Sequence, residues 1–85
     1  MQEGVIVRET ATLPLSEAPI GTRMRVRELT ARPEVSRRLR ELGIREHAIV
    51  SCVSRGHGNL ICAIQSARIG LDRRLASAIH VTPSE

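Results

Sequence analysis

The stretch RRLRELGI, residues 37–44, decides how the middle of this chain folds. Leu39 and Leu42 follow Val35 at the i, i+4, i+7 spacing that gives a helix one apolar face. Pro33 suits the first position of such a helix, because its missing backbone N–H has no helical partner there in any case. The pattern therefore predicts a helix that begins at Pro33 and carries its arginines toward solvent.

The same stretch predicts where this helix ends. Gly43 is the residue type that most readily takes the left-handed conformation that closes a helix after Leu42. Ile44 then stands where the hydrophobic contact that accompanies such a cap is made, and Leu39 is its expected neighbour. A structural role thus accounts for the whole stretch before any function is invoked.

Short strands are predicted on both sides of this helix. Residues 22–29 alternate the apolar Met24 and Val26 with arginines, which is the period of a half-buried antiparallel strand. Residues 56–59 (GHGN) indicate a hairpin turn, and Asp72 is expected to cap a short helical turn. Four further segments have the composition of short strands: 48–54, 60–65, 67–71 and 79–81.

The composition favours one small domain with an aliphatic core. The chain has 85 residues, none of them aromatic, so Leu, Ile, Val, Met and Ala must fill the interior. Bending the sheet into a barrel hides strand edges that an open sheet exposes, and any edge left open permits a homo-oligomer. We expect a loosely ordered arm at residues 1–12, a barrel over 13–82 and a tail at 83–85.

The charge pattern favours an acidic partner and argues against a nucleic acid. The net charge is +4, and all thirteen basic residues are arginines. Nine acidic residues are interspersed with them, and no run of five basic residues occurs. The chain also lacks aromatic side chains that stack on bases. A nucleic-acid-binding small barrel stays open as an alternative, and it predicts binding that falls steeply with salt.

Neither a membrane segment nor catalytic chemistry is indicated by the sequence. No apolar stretch approaches the roughly 18 residues of a membrane span, and the first residues lack the apolar core of a signal peptide. The expected location is therefore the cytoplasm. No Ser-His-Asp order, paired carboxylates or phosphate-binding loop occurs. We expect a protein that is not an enzyme and binds no cofactor.

Cysteine and histidine residues make only a weak case for a metal site. Cys52 and Cys62 are equally far from His57, so a hairpin that turns near His57 places the two cysteines opposite each other, roughly 16 Å from the tip. No C-x-x-C or H-x-x-x-H spacing is present. We expect no metal site, with Cys52, Cys62 and His57 as its weak candidates. Buried reduced thiols are the favoured interpretation, and a disulfide is the alternative.

With the strands placed, the chain resembles the FeoA family, the small SH3-like barrels that accompany the ferrous iron transporter FeoB. A similar domain forms the C-terminal part of some iron-dependent repressors. The resemblance runs from about Leu13 to Val81, and its most specific part is the helix end. The segments that carry it are 38–44 (RLRELGI), 69–71 (IGL) with Ala76 and Ile79, 13–16 (LPLS) with Gly21, and 60–64 (LICAI).

The resemblance implies both a fold and a role. The fold is mainly β, a small SH3-like antiparallel barrel of about five strands with one short α-helix after strand one. The role is a non-enzymatic accessory or regulatory module of ferrous iron uptake that binds the cytoplasmic region of FeoB. The alternative role is a stand-alone interaction or sensor domain related to the repressor barrel.

Two departures from the family pattern stand out. Glu46 and His47 occupy places where the family usually has proline and glycine, which changes the turn into the second strand. Ser66 occupies a place where the family tends to have glycine, which suggests an altered bulge between the third and fourth strands.

Partner-binding residues are expected on the helix and at the hairpin tip. An arginine-bearing surface suits an acidic partner, and a glycine-rich tip reshapes at low cost. The alternative is a solvated surface partly neutralised by nearby glutamates. The candidates are Arg37, Arg38 and Arg40 on the helix and Arg55, His57 and Asn59 at the tip.

Overall fold

The computed structural model describes residues 12–84, in six strands and three helical segments. The predicted N-terminal arm lies outside the described residues except for Thr12. The strands are β1 (Leu13–Pro14), β2 (Met24–Leu29), β3 (Ile49–Arg55), β4 (Asn59–Ile64), β5 (Ala67–Asp72) and β6 (Ile79–Pro83). The helical segments are a 3₁₀ turn (Leu15–Glu17), α1 (Pro33–Glu41) and α2 (Arg73–Ala76).

The strands form one antiparallel sheet in the order β1-β6-β2-β3-β4-β5. The five predicted strands are confirmed, and so is the mainly β, SH3-like fold with its helix after the first of them. The sequence missed β1, because a strand of two residues has no readable periodicity and Pro14 lacks a donor for a ladder.

Helix α1 ends in the cap that Gly43 predicts. Gly43 has a φ of 101° and its N–H donates to Arg40 O at 3.0 Å, while Ile44 N–H donates to Leu39 O at 2.9 Å. These two bonds satisfy carbonyl groups that the last helical turn otherwise leaves without partners. Ile44 and Leu39 belong to the same buried cluster, so the cap joins the helix to the core.

The buried face of α1 is narrower than its sequence predicts. Leu39 is buried and Val35 is partly buried against the core, but Leu42 is 48% exposed. Leu42 is the C-cap residue, after which the chain turns at Gly43 and Ile44 takes the core position. The prediction that Leu42 completes the buried stripe is therefore wrong.

The core is aliphatic and includes both thiols. Met24 and Val26 of β2 are buried while Arg23 and Arg27 are exposed, as the alternation predicts. The 3₁₀ turn contributes the fully buried Leu15. The remaining buried apolar residues are Ala18, Leu39, Ile44, Val50, Cys52, Leu60, Cys62, Ile64, Leu71, Ala76, Ile79 and Val81.

The second hairpin differs from its prediction. β4 and β5 pair residue for residue up to Ile64 opposite Ala67, so the expected bulge beside Ser66 is wrong. Gln65 instead has a φ of 53°, which allows a turn of two residues to connect the strands. The sheet's register shifts lie elsewhere, between Val26 and Glu28 and between Cys52 and Ser54.

Candidate functional site

A groove of about 730 Å³ lies between α1 and α2. Its floor is apolar and comes from both helices and the segments that flank them. Its rim carries four arginines and three carboxylates. The floor consists of Ala31, Val35, Leu75 and Ala78, and the rim consists of Arg32, Glu34, Arg37, Arg38, Glu41, Asp72 and Arg74. We call this feature the α1–α2 groove.

Local hydrogen bonds hold the two walls of the α1–α2 groove. On the α1 side, the hydroxyl of the buried Ser36 donates to Ala31 O at 3.1 Å. On the α2 side, the Asp72 carboxylate accepts the Leu75 N–H at 2.7 Å, which confirms the predicted cap. Arg73 N–H also donates to Gly58 O at 2.9 Å. The groove is thus fixed by the start of each helix.

The predicted helix arginines divide between two surfaces. Arg37 and Arg38 are exposed and lie on the rim of the α1–α2 groove. Arg40 turns away, and its guanidinium makes a bidentate contact with the Glu46 carboxylate at 2.8 and 3.2 Å. Of the three predicted helix arginines, two therefore lie on the groove rim and one does not.

The Arg40–Glu46 pair explains one departure from the family pattern. Its hydrogen bonds lower the pKa of Glu46 from 4.5 to about 2 and raise the pKa of Arg40. Both side chains are more than a third exposed, so the pair adds little to stability. It ties the end of α1 to the turn that leads into β3.

The hairpin tip does not line the α1–α2 groove. The Arg55 guanidinium donates to Ala18 O and lies 3.8 Å from Cys52 Sγ, so it braces the sheet. His57 and Asn59 are exposed. A second depression, of about 570 Å³, connects the tip residue Gly58 to α2 and shares Asp72 and Arg74 with the groove rim. The hairpin tip therefore lies next to the α1–α2 groove without lining it.

The two cysteines lie opposite each other on β3 and β4, as predicted, and both are buried free thiols. Burial and, to a smaller extent, the neighbouring Cys52 raise the pKa of Cys62 to about 11. His57 lies exposed at the tip. Within residues 12–84, no cluster of three or more cysteine, histidine or carboxylate side chains has the proximity that holding a metal ion requires.

Sequence reasoning missed the α2 wall of the groove. Arg74 and Leu75 follow the predicted cap residue Asp72, but nothing in the sequence places them opposite α1. The local sequence signal is an arginine followed by a leucine in the short helical turn that Asp72 caps. Among the described residues, no helix is long and apolar enough to cross a membrane.

A sequence model described as the FeoA domain matches residues 13–83. No curated protein matches this chain. A solved structure of an iron uptake regulatory protein (FeoA) has a TM-score of 0.79 at 19% identity and covers 86% of this chain and 99% of its own. At that identity the likeness establishes the fold.

Two further solved structures are 25% identical to this chain. The FeoA protein from Chlorobium tepidum has a TM-score of 0.76, with 86% of this chain and 71% of that chain covered. A manganese-dependent transcriptional repressor has a TM-score of 0.81, with 92% of this chain and 45% of that chain covered. This chain therefore corresponds to less than half of the repressor.

Proposed function

The chain belongs to the FeoA domain family, and from this membership we propose that it is a non-enzymatic accessory module of ferrous iron uptake that binds the cytoplasmic region of a FeoB transporter. The observation that carries the proposal is the family match over residues 13–83. A solved structure with this fold is described as an iron uptake regulatory protein. The proposed location is accordingly the cytoplasm.

The α1–α2 groove is the proposed docking surface. Its apolar floor offers a place for an apolar side chain, and burial of apolar area supplies most of the affinity of such contacts. Leu42, the C-cap residue one helical turn after Arg38, is 48% exposed and adds an apolar side chain to the surface of α1 outside the groove lining.

The occupant that fits this surface is an amphipathic segment of FeoB with carboxylates beside its apolar residues. The rim has an excess of one arginine over its carboxylates, and the whole chain has a net charge of +4. Such a surface attracts an acidic segment and fixes its register, with a larger effect on association rate than on affinity.

Charge reversal on both walls of the groove tests this assignment. Binding of the purified cytoplasmic region of FeoB to immobilised full-length protein is measured for wild type, for Arg37→Glu/Arg38→Glu on α1, and for Arg74→Glu on α2. Both variants are expected to bind at least about tenfold more weakly. The matched control is Arg23→Glu/Arg27→Glu, which reverses one exposed charge just before β2 and one on it.

The outcomes distinguish a failure of the proposed docking surface from a failure of the proposed function. If only the α1 variant weakens binding, the partner contacts the helix face and not the groove. If the control weakens binding equally, the effect is one of net charge. If wild type does not bind FeoB at low salt, the proposed function itself is wrong.

A second candidate function is an interaction or sensor domain that acts with a transcriptional regulator. The observation that favours it is the similarity to the manganese-dependent repressor, at a TM-score of 0.81. This candidate predicts capture of the regulator in place of FeoB in a pull-down with the full-length chain. A DNA titration at low salt tests the nucleic-acid alternative, for which a flat response is expected because the chain lacks aromatic side chains.

A further inference from the structure

The two edges of the sheet differ in how well they are protected. β1 has two residues and includes Pro14, which has no N–H to offer a neighbouring strand. β5 has six residues without proline, and it pairs with β4 without a register shift. Short strands, prolines and bulges are among the means of blocking an edge, as are charged side chains, which on β5 are of opposite sign (Arg68 and Asp72). The β5 edge has none of the first three.

The open side of β5 is defined by its pairing with β4. A two-residue turn makes Ile64 and Ala67 a hydrogen-bonded pair, and every second residue of β5 then directs its N–H and C=O to β4. The Arg73 N–H, which donates to Gly58 O at 2.9 Å, continues the same alternation. Arg68 and Gly70 therefore direct their N–H and C=O outward, and Asp72 directs its N–H outward.

These outward groups are available along the whole edge. Arg68, Gly70 and Asp72 are all exposed. Asp72 is also the N-cap of α2, so its C=O accepts the first hydrogen bond of that helix and only its N–H is left for a neighbouring strand. A Cβ built on Gly70 meets no atom within 4 Å. Ile61, opposite Gly70 on β4, is 41% exposed, so the outer surface beside the edge is apolar.

The sequence of β5 is complementary to itself in one antiparallel register. With Gly70 opposite Gly70 of a second copy, Arg68 lies opposite Asp72 at both ends of the pair. The Gly70–Gly70 pair then supplies two backbone hydrogen bonds and each Arg68–Asp72 pair supplies one, about four in all, because the Asp72 C=O belongs to α2. Opposite charges face each other on the outer surface, where cross-strand ion pairs are favourable. The Asp72 oxygen Oδ1 accepts the Leu75 N–H, which leaves Oδ2 for the arginine.

We propose that two copies of this chain associate through β5, as antiparallel neighbours about a two-fold axis that passes through Gly70. The six-stranded sheet of each copy then continues into that of the other. The partner is a second copy because Arg68 of each strand lies opposite Asp72 of the other when the two strands are antiparallel. Gly70 also leaves the centre of the edge unobstructed. This surface shares Asp72 with the α2 side of the groove rim and includes none of the α1 residues of the groove.

A disulfide cross-link tests both the interface and its register. Gly70→Cys places two thiols on the axis, with Cα atoms about 5.5 Å apart, within the range that a disulfide spans. The matched control is Arg68→Cys, for which the same register separates the two Cα atoms by about 14 Å. Full-length protein at about 1 mM, a concentration at which small interfaces associate, is oxidised and analysed by non-reducing electrophoresis.

The expected result is a covalent dimer for Gly70→Cys and little or none for Arg68→Cys and wild type, whose own thiols are buried. Equal cross-linking of the two cysteine variants overturns the register. No cross-linking of Gly70→Cys overturns the proposal.

A second set of variants tests single hydrogen bonds and ion pairs of the dimer without introducing cysteines. Gly70→Pro deletes the outward N–H and is expected to abolish dimers in sedimentation, whereas Gly70→Ala retains that N–H and is expected to dimerise. Arg68→Glu sets like charges opposite each other twice, and the dimer is expected to weaken about tenfold or more. Its control is Arg23→Glu, which makes the same charge change at an exposed position just before β2.

Hydrogen exchange of the Gly70 amide distinguishes a second copy from a segment of the same chain as the neighbour of β5. Fast exchange of the Gly70 amide in dilute wild type that slows at high concentration supports the second copy. A monomer at all concentrations whose Gly70 amide is protected shows that a segment of the same chain covers β5, and this overturns the proposal.

Discussion

His47 has a φ of 78°, a conformation in which the Cβ of an L-residue crowds its own backbone. It stands where the FeoA pattern usually has glycine, and the turn survives that change. Its N–H donates to Val26 O at 2.8 Å, and its carbonyl accepts from the Arg25 guanidinium at 3.0 Å. Backbone contacts on both sides therefore hold the residue in a conformation that its side chain disfavours.

Replacement of His47 by glycine is expected to stabilise the protein by about 0.5–1 kcal/mol. Glycine removes the left-handed strain, and this gain exceeds its larger loss of chain entropy on folding. Urea unfolding followed by circular dichroism measures the change. His47→Ala is the control, because it shortens the side chain but retains the Cβ, and it is expected to give no gain. Equal stabilisation by both variants contradicts the backbone explanation.

Because the pKa of the Glu46 carboxyl is lower in the folded protein, the stability of the protein is expected to depend slightly on pH. The folded pKa of this carboxyl, about 2, lies below its ordinary value of 4.5, so its contribution is present above pH 4.5 and is lost as the pH falls toward 2. Glu46→Gln removes that contribution. Thermal melts between these pH values are expected to decline less steeply for the variant than for wild type, and parallel curves would show that the pair has no net effect.

At the scale of elements, the end of α1 depends on one residue. Gly43 has a φ of 101°, and a Cβ at this position lies 3.4 Å from Ile64 Cγ2. A side chain therefore adds both backbone strain and a tight contact with β4. The helix, its cap and the sheet meet at this position.

Gly43→Ala is expected to destabilise the protein by about 1–2 kcal/mol. The matched control is Gly58→Ala, since a Cβ at Gly58 meets no atom within 4 Å and its φ is not in the left-handed region. Denaturant unfolding of the two variants in parallel measures the difference. A loss of equal size for both would mean that chain entropy, and not the cap, determines the cost.

The elements themselves were largely predictable because their signals are local. The alternation of Met24 and Val26 and the cap signals at Gly43 and Asp72 each depend on a few neighbouring residues. β1 and the exposed position of Leu42 were not predictable in this way. The first is defined only by its partner β6, and the second by the direction in which the chain leaves the helix.

At the scale of the molecule, the candidate site was only partly predictable. Arg37 and Arg38 were identified as exposed helix arginines, but their opposite wall comes from α2, which is distant in sequence. Arg40 and Arg55 were also predicted to contact a partner, and the structure shows their contacts with Glu46 and with Ala18 O, which the sequence did not predict. Such contacts depend on tertiary placement, which the charge pattern does not encode.

The buried thiols report on opening of the whole molecule. Cys62 is inaccessible and its pKa is raised to about 11, so alkylation of native protein at pH 8 is expected to be slow and to require unfolding. Gly43→Ala is expected to accelerate it, by about tenfold for each 1.4 kcal/mol of lost stability. Mass spectrometry of the iodoacetamide adduct measures the rate. A rate that is equal in both proteins would indicate a local path to the thiol.

The place of β6 in the sheet has a consequence for synthesis. It is the last strand in chain order, yet it lies between β1 and β2 and separates them. A nascent chain on the ribosome can form the β3–β4–β5 hairpins early, but the strands made first must wait for the segment made last. Translation that stalls before Ile79 therefore leaves Leu15 and Val26 uncovered, and such intermediates are natural clients for chaperones that bind aliphatic segments.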